Sequence, residues 1–205
     1  NGIFLYERGI EPSWYQGGQI GRAQFLEHSS DGGWYALEIY YPKTKKTKIF
    51  AFDKNGLATE SLVMSGKIDY WSFNSQGVIV SKNEKYKSKI TFYNWQGKKI
   101  QTLSRGGVVS DIAMVSNLDK DVQVALLITS KNKTSGIVLW EPDSQSTREV
   151  ALVGKNTFRL FGNHWLGVGQ QSLLAFSSNN GIYQVFDSTL NERELMNGIL
   201  RIVGE

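Results

Sequence analysis

Cysteine is absent from the 205 residues. That excludes disulfides and thiolate metal sites. It leans towards a reducing, cytoplasm-like compartment and leaves room for a periplasmic or secreted protein that does without disulfides. Histidine occurs twice, as His28 and His164, too far apart in the chain to suggest a zinc site. No apolar run approaches the ~20 residues needed to cross a bilayer as a helix. There is no signal-peptide pattern and no initiator Met. The chain starts at Asn1 inside the strand-like "NGIFLYERG", which suggests processing or excision from a longer protein. Proline is scarce, and no segment of ten residues carries a helical period; "LNERELMNG" (190–198) comes nearest and reads as an outer strand and turn. No nucleotide or cofactor pattern stands out. Gly167-Val168-Gly169 has no helix behind it, and no serine sits in a glycine-flanked elbow.

The chain does hold strand-forming residues in repeated order. Ile3–Glu7, Ile49–Asp53, Ile90–Asn94, Ile137–Glu141 and Tyr183–Asp187 each end in an aromatic followed by Asp, Glu or Asn. Their last positions are separated by 46, 41, 47 and 46 residues. Ile, Val, Phe, Tyr and Trp suit a pleated, half-buried strand. A terminal Asn or Asp can accept a backbone N–H two residues on and start a turn. Gly56 and Gly97 then supply positive φ. Before four of the pentads lies another strand: 34–41, 77–83, 122–130 and 172–178. Upstream come 22–28, 68–74, 110–117, 157–163 and, at the end, 199–205. A more polar strand follows, as at 58–64, 99–105 and 147–153. Four short strands per unit of this length predict a β-propeller.

"LLAFSSNNGIYQVFD" (173–187) and "SSDGGWYALEIYY" (29–41) are similar to the inner-strand, turn and third-strand pattern of WD-repeat-like β-propellers. The family's Gly-His dipeptide is missing and Trp140-Glu141 stands nearest to its Trp-Asp, so the resemblance is to a divergent member. The expected fold is all-β, one propeller domain over 1–205, with antiparallel four-stranded blades at 21–66, 67–107, 108–154 and 155–197. A composite fifth blade would join 1–20 to 198–205. Part of a six- to eight-bladed ring is the alternative.

The blade register places the hairpins between second and third strands on one face. They carry Lys43, Lys45, Lys46 and Lys48, then Lys82, Lys85, Lys87 and Lys89, then Lys131 and Lys133, with Glu84 among them. The opposite turns carry Asp31, Asp53, Asp119, Asp121, Asp143 and Asp187. A net charge of +4 thus hides a two-sided molecule. The lysines suit an anionic partner. An acidic protein segment leads and anionic lipid headgroups follow; nucleic acid comes last, because the loops hold no Arg and only Tyr86 as an aromatic. The bland alternative is that lysine keeps hairpin tips soluble. Trp14 and Trp95 fall outside strand patterns and are candidate interface anchors, or else rings lying over a neighbouring blade. Trp34, Trp71, Trp140 and Trp165 read as packing residues.

Some five-bladed propellers that resemble this pattern are glycosidases. Asp69 and Asp111 sit where such carboxylates would face the channel. Arg22, Arg159 and Arg201 hold the corresponding places in other units, so the ring reads as ion pairs. The expectation is a non-catalytic binding or scaffold module without metal or cofactor. A carbohydrate-binding or carbohydrate-cleaving propeller and a structural segment of a larger protein are the alternatives. Asn132-Lys133-Thr134 is a glycosylation sequon, meaningful only in a secreted chain.

Overall fold

A computed structural model describes residues 2–5, 13–16, 19–26, 34–52, 58–74, 76–116, 122–151, 158–162, 172–177, 183–187 and 192–193, and side chains within 36–52, 61–74, 76–114 and 122–149. Every described element is a strand. β1 (Gly2–Leu5) and β2 (Ser13–Gln16) form a two-stranded antiparallel sheet in which Phe4 faces Trp14. Four antiparallel meanders follow, each with its strands paired in chain order. The first holds β3 (Gln19–Leu26), β4 (Trp34–Tyr41), β5 (Lys46–Phe52) and β6 (Ala58–Ser65). The second holds β7 (Tyr70–Asn74), β8 (Gly77–Glu84), β9 (Lys87–Asn94) and β10 (Lys99–Gly106). The third holds β11 (Val108–Ser116), β12 (Val122–Thr129), β13 (Ser135–Glu141) and β14 (Ser146–Ala151). The fourth holds β15 (Phe158–Gly162), β16 (Ser172–Ser177), β17 (Tyr183–Asp187) and β18 (Glu192–Arg193). The segment 199–205 lies outside the described residues, as do His28, His164, Trp165 and Arg201.

The pentads at 90–94, 137–141 and 183–187 end third strands, and β5 ends at Phe52 within the pentad at 49–53. Asn94 closes its strand with a wider turn than the expected one, its side chain reaching four residues on instead of two. Its side-chain oxygen accepts the N–H of Lys98 at 2.8 Å, while Gly97, with φ +79°, donates to the Asn94 carbonyl. Asn74 makes the two-residue form between β7 and β8, accepting from Gln76 N at 2.8 Å and also from Gly77 N at 3.1 Å. Gly77 is required for a different reason. A Cβ there would stand 2.0 Å from the Tyr93 carbonyl oxygen, because β8 begins where β9 crosses it closely.

The core lies between the sheets. Strand side chains alternate faces, and each of the three sheets whose side chains are described buries apolar residues on both sides. Ile49, Ala51 and Leu62 of one sheet meet Trp71, Phe73, Val78 and Val80 of the next. Ile79, Ile90 and Phe92, on the other face of that second sheet, meet Met114, Val124, Val138 and Trp140 of the third. β12, buried from Val122 to Ile128, reads as a continuous apolar run because both its faces are covered. The outer strand β10 is far more exposed.

Trp95 belongs to the first of these seams. It is 4% exposed, lies edge-on to Phe73 at 6.3 Å, and donates its indole N–H to the Asn74 carbonyl at 3.0 Å. The expectation of Trp95 as an interface anchor is therefore corrected. A turn residue beside a seam gains more by burying its ring and satisfying its N–H than by facing water. Trp71 and Trp140 are buried as expected.

Candidate interaction surface at the hairpin end

In the first two meanders the hairpin between second and third strands shares an end with the crossover to the next sheet. Two crossovers are fixed by one device. Gly66 donates its N–H to the Lys45 carbonyl at 2.7 Å, and the buried Thr47 hydroxyl donates to the Gly66 carbonyl at 2.6 Å. Forty-one residues on, Gly107 donates to the Tyr86 carbonyl at 2.8 Å, and the buried Ser88 hydroxyl donates to the Gly107 carbonyl at 3.0 Å. Both glycines have positive φ, +78° and +96°. That conformation is open to Gly at little cost. Each hairpin tip is thus latched to its own crossover. The second latch extends across to β11: Val109 N donates to Ser88 Oγ at 2.9 Å, and Asn83 Nδ2 donates to the Val109 carbonyl at 2.8 Å.

The lysines divide into two groups. Lys43 and Lys45 lie in the turn after Pro42, Lys85 in the turn before β9, and Lys131 and Lys133 in the turn before β13; all are exposed. Lys45 and Lys133 adopt positive φ, 51° and 62°, without being glycine. Lys46, Lys48, Lys82, Lys87 and Lys89 lie within strands and alternate with buried Thr47, Ile49, Ser81, Ser88 and Ile90. Strand alternation turns this second group sideways. Lys48 is half-buried, its ammonium 4.3 Å from the Phe50 ring centroid. Lys82 donates through Nζ to the Ser65 carbonyl of the preceding sheet. Lys82 and Lys89 face one another across β8 and β9, and Lys87 faces Glu84.

Two neighbouring tips meet at Tyr86, which is 48% exposed. The Lys85 ammonium lies 5.6 Å from its ring centroid and the Lys131 ammonium, from the next sheet, 5.4 Å. Tyr86 was legible only as a lone aromatic among lysines. Its neighbour across the seam could be found once the blade register was known.

The other candidate residues are placed differently. Asp69 Oδ2 accepts the Asn83 N–H at 2.6 Å, and Asp111 Oδ1 accepts the N–H of Ile112 at 2.9 Å, so both carboxylates engage the backbone. Arg22 and Arg159 lie on β3 and β15, with side chains outside the described residues. The same holds for Trp14 on β2. Asp143 is exposed in the turn after β13, at the opposite end from the lysine turns. Beside it, Glu141 accepts the Ser146 and Ser144 hydroxyls at 2.8 and 3.0 Å and Gln123 Nε2 at 3.0 Å. The Ser146 hydrogen bond, helped by Ser144, Gln123 and Arg148 against the opposing effect of burial, holds its carboxyl below the ordinary value. Among the described residues no group of three or more His, Asp or Glu could hold a metal ion, and no helix is long and apolar enough to cross a membrane.

No protein-family model matches the chain, and no curated protein matches it. Among solved structures the chain is similar to BBS1N, as seen in the crystal structure of BBS1N in complex with ARL6DN, soaked with mercury. The TM-score is 0.55 at 12% identity, over 86% of this chain and 53% of that one. The chain spans about half the length of this neighbour. BBS1N is a β-propeller, and the likeness extends to the architecture: an all-β chain of antiparallel propeller sheets.

Proposed function

We propose that the chain is a non-catalytic protein-binding propeller that captures an acidic protein segment on its lysine-bearing hairpin end. One observation carries the reading: Lys85 and Lys131, from consecutive sheets, share the exposed ring of Tyr86. Cations on separate loops gain little unless the fold assembles them, because an isolated surface charge is well screened. Several fixed cations at one end steer an anionic partner and speed encounter. The latched crossovers support the reading by holding the tips in register. BBS1N is itself seen holding a protein, ARL6DN, which makes protein capture a natural use of such a ring. Lysine without arginine favours carboxylates over base edges, where bidentate donors are needed.

The test is charge reversal at the turn lysines Lys43, Lys45, Lys85, Lys131 and Lys133, read by fluorescence anisotropy of a labelled octaglutamate peptide. Wild type should bind and the five-fold Lys→Glu variant should not, with its thermal melt retained. A variant that binds as well as wild type, or a wild type that does not bind, overturns the proposal.

A further inference from the structure

We infer that Tyr86 is the positioning residue of this surface: its ring holds Lys85 and Lys131 in place before the acidic segment arrives. The inference rests on the function proposed above. Three observations meet here. Tyr86 is one of few large apolar side chains left exposed among the described residues, beside Val63 and Ile100. Two ammonium groups lie against its ring. Its backbone is pinned, since the Tyr86 carbonyl accepts from Gly107 N at 2.8 Å.

The local sequence adds an argument of its own. Glu84 pairs with Lys87, so Lys85 and Tyr86 form a two-residue hairpin loop. Such loops favour Asn-Gly or Asp-Gly, whose positive φ matches strand twist. Among the described residues positive φ outside glycine occurs only at Lys45, Lys133 and Gln145. The Lys85-Tyr86 loop therefore lacks the mirror-image geometry. Without positive φ the loop admits Lys and Tyr without strain, and nothing in its backbone geometry calls for an aromatic. Here the ring faces solvent, so core packing does not explain it.

The physical effect is pre-organisation. A lysine has four rotatable bonds, and ordering it on binding is costly. A ring that attracts the ammonium restricts it beforehand. The phenol hydroxyl is not needed; the aromatic face is.

The experiment compares Tyr86→Ala and Tyr86→Phe with wild type, using the labelled octaglutamate peptide at several salt concentrations. Tyr86→Ala should weaken binding by about fivefold, in line with two exposed cation–π contacts. Tyr86→Phe should stay close to wild type. Because no charge is removed, the salt dependence of Tyr86→Ala should keep the wild-type slope. Melting curves of both variants should match wild type, as the side chain is half exposed. If wild type binds, and Lys85→Glu with Lys131→Glu loses binding while Tyr86→Ala does not, this inference alone is overturned. Equal weakening by Phe and Ala also overturns it. If wild type does not bind the peptide, the proposed function falls and takes this inference with it.

Discussion

The indole N–H of Trp71 on β7 donates to Oε2 of Glu38 on β4 at 2.9 Å, across the seam between two sheets. Both residues are buried, at 1% and 6% exposure. A carboxylate in an apolar seam costs stability unless it is satisfied. Trp71→Phe keeps most of the ring and removes that donor. It should destabilise by at least about 2 kcal/mol in urea unfolding, a hydrogen bond to a charged group plus the space left by the lost five-membered ring. Glu38→Gln should cost less, because an amide oxygen still accepts. A Trp71→Phe variant as stable as wild type would show that the bond contributes nothing to joining the sheets.

The crossover latch makes a second prediction. Ser88→Ala removes the hydroxyl that bonds Gly107 and Val109 and should cost about 1–3 kcal/mol. Gly107→Ala should cost more. Its Cβ would meet Ile128 Cγ2 at 2.6 Å and the Thr129 oxygen at 3.0 Å, at a φ that L-residues avoid. Hydrogen exchange at Val109 and Gly107 should rise in Ser88→Ala. Unchanged protection would contradict the latch.

Trp95→Ala separates core from surface. The ring is buried among Phe73, Leu62 and Trp71, so its loss should cost about 3–5 kcal/mol. Partner binding by the folded fraction should be unchanged. Weakened binding with an intact melting temperature would restore Trp95 as a surface anchor.

Glu141 supplies a pH dependence. Its folded pKa lies below the ordinary 4.5, chiefly through the Ser146 hydroxyl. A depressed carboxyl adds stability above the unfolded pKa and loses it as pH falls through the folded one. The stability difference between wild type and Glu141→Gln should therefore shrink as pH drops below about 4.5. A difference that stays flat from neutral pH to below the folded pKa would contradict this.

Much of the strand order was legible in the sequence because it is local. Alternating β-branched and aromatic residues, closed by Asn74 or Asn94, specify a strand and its turn without distant help. The seams were not legible in the same way. Trp95 reads as a turn residue until Leu62 and Phe73 are known to surround it. Gly66 and Gly107 look like ordinary glycines until the crossover fixes their φ. The sequence shows lysines clustered around the second-to-third-strand turns, but strand alternation decides which ammonium groups face the tip. That is why Lys82 turns to Ser65 while Lys85 remains at Tyr86.

Most direct of all is the salt dependence of octaglutamate affinity for wild type. If the hairpin-end cations make the contact, affinity should fall steeply and linearly on a log–log plot as sodium chloride rises, and the Lys→Glu variant should show no binding along the series. Affinity independent of salt, or retained by that variant, would contradict the account.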